Sequence, residues 1–311
     1  MARRLRLEYP GAIYHVMSRG APGGRLFRTD ADRALFLKTL SEACRRTSWE
    51  IHAWCLMKNH VHLVIETPCA NLSAGMKWLL GTYTSRHNRR HRVWGHLFAG
   101  RFKSLIVDGS GNGYLRTVCD YVHLNPARAK LLRSDQRLAA FVWSSFREYL
   151  KPPSERVQWL RVDRLFGEMR IAKDSPAGRK EFERITESRR GERWDGKPIE
   201  RGWCYGEESF RQELMTAVQA GEYHSGEQRR EIETVRAERL VGEELKRLRW
   251  TERDLATRRK GDPGKVRIAG RLRTETVMSL KWIAQRLKMG TWTHVANRLY
   301  WERKAKRSVI T

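Results

Sequence analysis

Two short stretches hold the residue types and spacings that could do chemistry. In His60-Val61-His62-Leu63-Val64-Ile65, strand geometry puts His60 and His62 on one face and Val61, Leu63 and Ile65 on the other. Neighbouring imidazoles on a rigid strand are two neutral donors for a divalent ion. In Asp120-Tyr121-Val122-His123-Leu124-Asn125-Pro126, a helix would turn Tyr121 and Asn125 the same way, four residues apart. The Asn125 carboxamide is then a third metal donor and the Tyr121 phenol a nucleophile. Such a neutral donor set leaves the ion its full charge with which to polarise a phosphate oxygen. A phenol with a pKa of roughly 10 attacks poorly unless its proton is drawn off. Taken singly, a His-x-His also fits an ordinary half-exposed strand, and a helical tyrosine also fits a core.

The elements that must position these groups alternate between strand and helix. Ala12–Ser18 reads as a strand bounded by Pro10-Gly11 and by Gly20 to Gly24. Asp30–Ser48 reads as a helix that Asp30 or Asp32 would cap. Ile51–Met57 and His60–Glu66 form a hairpin about Lys58-Asn59, and Leu72–Arg92 is helical. Leu105–Asp108 is a brief strand, and Tyr114–Asn125 a helix that must end near Pro126. This order predicts an α+β domain: a small antiparallel sheet with helices on one face. Strand signals fade after Lys151-Pro152-Pro153, Lys173–Gly178 reads as a hinge, and Gly261-Asp262-Pro263-Gly264 as a further break. The predicted division is 1–150, a helical linker region 151–265, and a last domain 266–311.

Together the motifs carry a resemblance. Met57-Lys58-Asn59-His60-Val61-His62-Leu63 resembles the His-hydrophobic-His motif of single-tyrosine HUH transposases, and Tyr121-Val122-His123-Leu124-Asn125-Pro126-Ala127-Arg128-Ala129 their nucleophile helix. Gly95-His96-Leu97-Phe98, Gly100-Arg101-Phe102-Lys103-Ser104 and Trp143-Ser144-Ser145-Phe146 are similar to the same group. Within it the resemblance is to the REP-associated tyrosine transposases, relatives of insertion-sequence enzymes that act on single-stranded DNA. It implies a ferredoxin-like sheet over residues 1–150, with His60, His62 and Asn125 holding Mg²⁺ or Mn²⁺. It further implies attack by Tyr121 on a phosphodiester, giving a 5′-phosphotyrosine link that a later 3′-hydroxyl reverses. Two positions depart from the family pattern: Ala127, where valine is common, and Asp120, where a basic residue is frequent.

Charge points to the same partner. The 311 residues carry 62 Lys plus Arg against 35 Asp plus Glu, a formal +27. Basic residues outnumber acidic ones by 24 to 10 in residues 1–150 and by 16 to 5 in 251–311, with a near-neutral middle. Such lobes suit a polyanion, nucleic acid foremost. Arg19, Lys58, Arg89, Arg90, Arg92, Arg101 and Lys103 beside the motifs could pair with phosphates, and Trp94, Phe98 and Phe102 could stack on unpaired bases or simply pack. His15, His52 and His123 read as structural. Residues 274–301 read as a helix-turn-helix about Lys288-Met289-Gly290, or as a plain helical hairpin. Its second helix would offer Thr291, Trp292, Thr293, His294, Asn297 and Arg298 to a DNA groove.

Five scattered cysteines without a C-x-x-C pair argue against disulfides and zinc fingers. The basic start lacks a secretory apolar run, and no apolar run of membrane-spanning length occurs, so a cytoplasmic, nucleoid-associated protein is expected. The function expected is a transposase cutting and joining single-stranded or hairpin DNA at repeated palindromic elements, as monomer or homodimer. A catalytically idle DNA-binding regulator on the same scaffold and an RNA-binding protein are the rival readings.

Overall fold

The computed structural model describes residues 6–22, 24–192, 199, 202–219 and 226–308. The basic start Met1–Leu5 and Arg201 lie outside them. Four strands form where the apolar runs fall: β1 (Ala12–Arg19), β2 (Glu50–Leu56), β3 (His60–Thr67) and β4 (Lys103–Val107). The hairpin closes on Lys58-Asn59, with Met57 N–H donating to the His60 carbonyl at 2.9 Å. A fifth strand, β5 (Cys204–Tyr205), completes the order β2-β3-β1-β4-β5 and runs parallel to β4, whereas the other pairs are antiparallel. Two residues carry no alternation, and β5 falls inside the expected linker region.

The α+β class stands, with one correction. Both faces of β3 are covered: Val61, Leu63 and Ile65 are fully buried, and so are His62 and Val64 on the opposite face. A covering on one side alone cannot produce that pattern. Helix α3 (Tyr114–Arg128) lies over the histidine face, where its Tyr121 ring meets those of His15 and His62. It runs three residues past the predicted end. Pro126 lacks an N–H but sits in the last turn, where few bonds remain to be lost. Helix α1 (Asp30–Thr47) starts on Thr29 as N-cap, and Asp32 serves at the third position of a capping box rather than as the cap itself. Helix α2 spans Leu72–His91.

The chain forms two compact units, the first taking in most residues up to His224 and the second Ser225–Thr311. The predicted linker 151–265 is therefore divided between them. Phe166, Ile171, Phe182 and Leu214 are buried in the first unit's core, where Phe182 stacks on Tyr149 with centroids 4.7 Å apart. Lys173–Gly178 is a helix start rather than a hinge. Ser175 caps helix Pro176–Ser188 by accepting from Gly178 N–H, and a Cβ on Gly178 would lie 2.3 Å from the Lys173 carbonyl oxygen. Trp143–Phe146 lines the β2 edge: Leu56 N–H donates to the Trp143 carbonyl, and Ser145 N–H to that of Trp54. It closes a ladder that would otherwise stay open.

The second unit is helical: Gly226–Leu248, Glu252–Thr257, Pro263–Glu275, Leu280–Arg286 and Trp292–Ser308. Its core is aliphatic, including Leu240, Val241, Ile268, Leu272, Ile283, Leu287 and Val295. Lys265 is buried as well, and its ammonium donates to the carbonyls of Leu255 and Arg258 at 2.8 and 2.9 Å. Lys288 and Gly290 take left-handed backbone at the expected turn between the last two helices. Among the described residues, no helix is long and apolar enough to cross a membrane.

Candidate active site

Strand register assembles the site. Arg19 lies opposite His60, and Met17 opposite both His62 on one side and Lys103 on the other. Residues paired in this way project from the same face. The histidine pair is thus flanked by Arg19 and Lys103, both exposed. His60 and His62 rings are 4.9 Å apart between centroids. Helix α3 brings Tyr121 to 5.7 Å from the His62 ring, edge to face, and Asn125 Nδ2 to 3.4 Å from His62 Nε2. His60, Tyr121 and Asn125 therefore all come up to His62, although about sixty positions separate the two stretches.

His15, expected to be structural, joins them. Its Nε2 shares a 3.0 Å hydrogen bond with His62 Nδ1, the two rings stack at 5.2 Å, and its edge meets Tyr121 at 5.5 Å. His15 pairs with Val64, so it is a diagonal neighbour of His62 across two strands. Only register reveals that. Arg128 is a second missed residue: its guanidinium carbon lies 5.6 Å from the Tyr121 ring centroid. The spacing of seven residues, two helical turns, was a readable signal.

The donor set fits a divalent ion. His60 Nδ1 is engaged by Asn59 Oδ1 at 2.8 Å and His62 Nδ1 by His15, which leaves Nε2 of each ring to coordinate. Asn125 offers its oxygen once the carboxamide is turned over. Burial lowers the His60 pKa to about 4, helped by Arg19, and lowers that of His62 well below its usual range, helped by His15, His60 and Arg19. Both imidazoles are therefore neutral near pH 7, the form that binds metal.

Tyr121 is 8% exposed, yet its neighbours are His15, His62 and Arg128 rather than hydrocarbon alone. It opens on a cleft of about 1000 Å³ whose lining includes Arg6, His15, Arg101, Phe102 and Lys103. Asp120, the departure beside it, is fully buried and paired with Arg189 and, at 3.7 Å, with Arg116. Burial raises its carboxyl to about 6 against the pull of these cations. His123 is structural, as read: Nε2 shares a 2.9 Å hydrogen bond with Ser145 Oγ, and the ring packs against Phe146, Tyr149 and Phe182.

Residues 9–125 match the family model described as transposase IS200 like. This stretch is similar to the IS200-like transposases. One solved structure similar to the chain is that of a REP-associated tyrosine transposase bound to a REP hairpin, at 16% identity and a TM-score of 0.40, covering 47% of this chain and 84% of that one. No curated protein matches.

The remaining predicted contacts fare unevenly. Lys58, Arg89, Arg92 and Arg101 are exposed, and Arg90 is half exposed with its Nε 3.4 Å from Asp32. Trp94 is 97% exposed and free to stack. Phe102 is not, because the Arg6 guanidinium covers its ring at 3.7 Å, and Phe98 packs on Tyr83. In the second unit Thr291, Trp292, Thr293, Asn297 and Arg298 are all exposed, while Val295 and Leu299 are buried.

Proposed function

We propose that the chain is a REP-associated tyrosine transposase, a metal-dependent single-strand DNA endonuclease and strand transferase acting on repeated palindromic elements. One observation carries this reading: the Tyr121 ring stands 5.7 Å from that of His62, with Asn125 on the same helix face 3.4 Å from His62 Nε2. His60, His62 and Asn125 would hold the ion, and the chemistry it supplies when bound is polarisation of a phosphate oxygen.

The chain's own residues do the rest. Arg19, Arg101 and Lys103 pair with phosphates and fix the strand against the histidine face. The Tyr121 hydroxyl loses its proton to water in the cleft, and its oxygen attacks the phosphorus. The Oη–P bond forms, the P–O3′ bond breaks, and the departing 3′ oxygen takes up a proton. Arg128 sets a fixed positive charge against the ring as negative charge develops on the phenol. Attack by a 3′-hydroxyl later reverses the link and joins strands with no external energy source. The second unit would read the duplex stem of a hairpin through the exposed face of helix Trp292–Ser308.

The test is a labelled single-stranded oligonucleotide carrying a palindromic element, incubated with the protein and Mn²⁺ and resolved under denaturing conditions. A covalent adduct that disappears in Tyr121→Phe is expected. Tight binding without adduct would instead mark a regulator, and equal binding of RNA of the same sequence an RNA-binding protein.

A further inference from the structure

A second group of metal-binding side chains lies in the first unit, on residues the histidine face does not use. His87 and His91 are four apart near the end of α2, and Asp32 stands in the first turn of α1; their donor atoms all fall within 4.8 Å of one another. We propose that Asp32, His87 and His91 hold a divalent transition-metal ion, zinc by donor chemistry, at a site separate from His60 and His62.

Three observations support it. The first is an orphaned nitrogen: His87 is 1% exposed, its Nδ1 faces Asn88 Oδ1 at 3.5 Å, and its buried Nε2 has no hydrogen-bond partner among the described residues. Leaving such an atom unmatched in the interior is costly, and a metal ion would satisfy it. The second is the division of labour on Asp32, which is fully buried. Its Oδ2 accepts from the backbone N–H groups of Arg28 and Thr29 at 2.9 Å, which fixes the carboxylate, while Oδ1 faces His91 Nε2 at 2.7 Å. The third is ring placement, with the His87 and His91 centroids 4.5 Å apart.

Two imidazoles and one carboxylate oxygen are the donors of many open zinc sites, with bonds of about 2.0–2.2 Å and water in the fourth position. Imidazole donors disfavour Mg²⁺ and Ca²⁺, which take oxygen ligands. Among the described residues, Arg90 is the one arginine or lysine paired there, its Nε 3.4 Å from Asp32 Oδ1, and its half-exposed side chain can turn to solvent. Filled, the site would clamp the start of α1 to the end of α2. It would thereby hold still the basic segment Arg89, Arg90 and Arg92 that leads to Trp94.

The full chain carrying His60→Ala and His62→Ala, which removes the other histidine pair, is titrated with Co²⁺ alone. One equivalent giving the visible absorption of tetrahedral cobalt is expected. Adding His91→Gln should weaken that binding by more than about 100-fold, since even outer partners of a metal site cost about 10–100-fold. No binding by the double variant, or binding that His91→Gln leaves unchanged, overturns the proposal. A second measurement needs no change at the site: Zn²⁺ should shield His91 from diethylpyrocarbonate in the double variant. Equal modification with and without Zn²⁺ also overturns it.

Discussion

The two units bury different things. The first places His15, His62, His123, Asp120 and a tyrosine inside its sheet-and-helix core, whereas the second fills its centre mainly with Leu, Ile, Val, Ala and Met, and among the described residues of Ser225–Thr311 buries only Lys265, Glu244 and Thr276 as polar groups. Lys265 has an obvious structural occupation, closing carbonyls where a helix ends. The histidine face has no comparable one. An aliphatic layer would pack over β3 as well as three imidazoles do, and without the desolvation they incur. Polar burial that packing does not require is the pattern the proposed chemistry at the histidine face would leave.

The sharpest way to break this contrast is Tyr121→Phe. The ring and its packing stay, so the thermal midpoint of unfolding should hardly move, while adduct formation on an oligonucleotide should fall below detection. A large loss of stability with residual adduct would make the tyrosine a core residue after all. Next is His15→Phe, which keeps a ring in the stack but removes the acceptor for His62 Nδ1. Mn²⁺ affinity, measured calorimetrically, should drop about 10–100-fold.

Acid should separate the two units. Burial holds His15 at about 4 and His123 at about 3, below an unfolded value of about 6.5. Between those values the unfolded chain binds more protons, so the stability these histidines contribute is complete above pH 6.5 and is lost as pH falls toward 4. From pH 6.5 to 5 each would cost on the order of 2 kcal/mol. Asp120, raised to about 6 mainly by burial, works in the opposite direction, as a single group against several. In EDTA, calorimetry at pH 7 and pH 5 should show the amino-terminal transition falling further than the carboxy-terminal one. Coincident shifts would erase the distinction.

The smallest effect belongs to Lys265→Met. Unmatched carbonyls should cost the second unit about 1–3 kcal/mol. Cleavage of a short oligonucleotide without a stem should be unchanged. If that cleavage fell as well, the lysine would belong to the chemistry.

Much of the site was legible because it obeys short periods. A repeat of two puts His60 and His62 together on a strand, and a repeat of four aligns Tyr121 with Asn125 on a helix. His15 escaped because its meeting with His62 depends on the register of β1 against β3, a long-range pairing that no local window contains. The same limit applies to the layers. Nothing local tells which side of a sheet a helix will cover, and the burial of both faces of β3 came only with the structure. The region 151–265 reads as a linker because the strand signal within it is two residues long. Aromatic side chains of 151–219 nevertheless enter the core, Phe182 beside His123. At the start of α1 the expected Asp32 does serve, not as the cap but as the reciprocal partner of Thr29 three residues before it.

The short strand β5 sets the minimum size of a working fragment. Backbone groups of Ile106 and Asp108 donate to the carbonyls of Trp203 and Tyr205. A gene truncated after Leu150 would therefore encode a protein whose β4 margin is bare, open to pairing with another molecule of itself and prone to precipitate. Anyone dissecting the polypeptide should cut beyond Gln219, well past the last residue that family similarity covers.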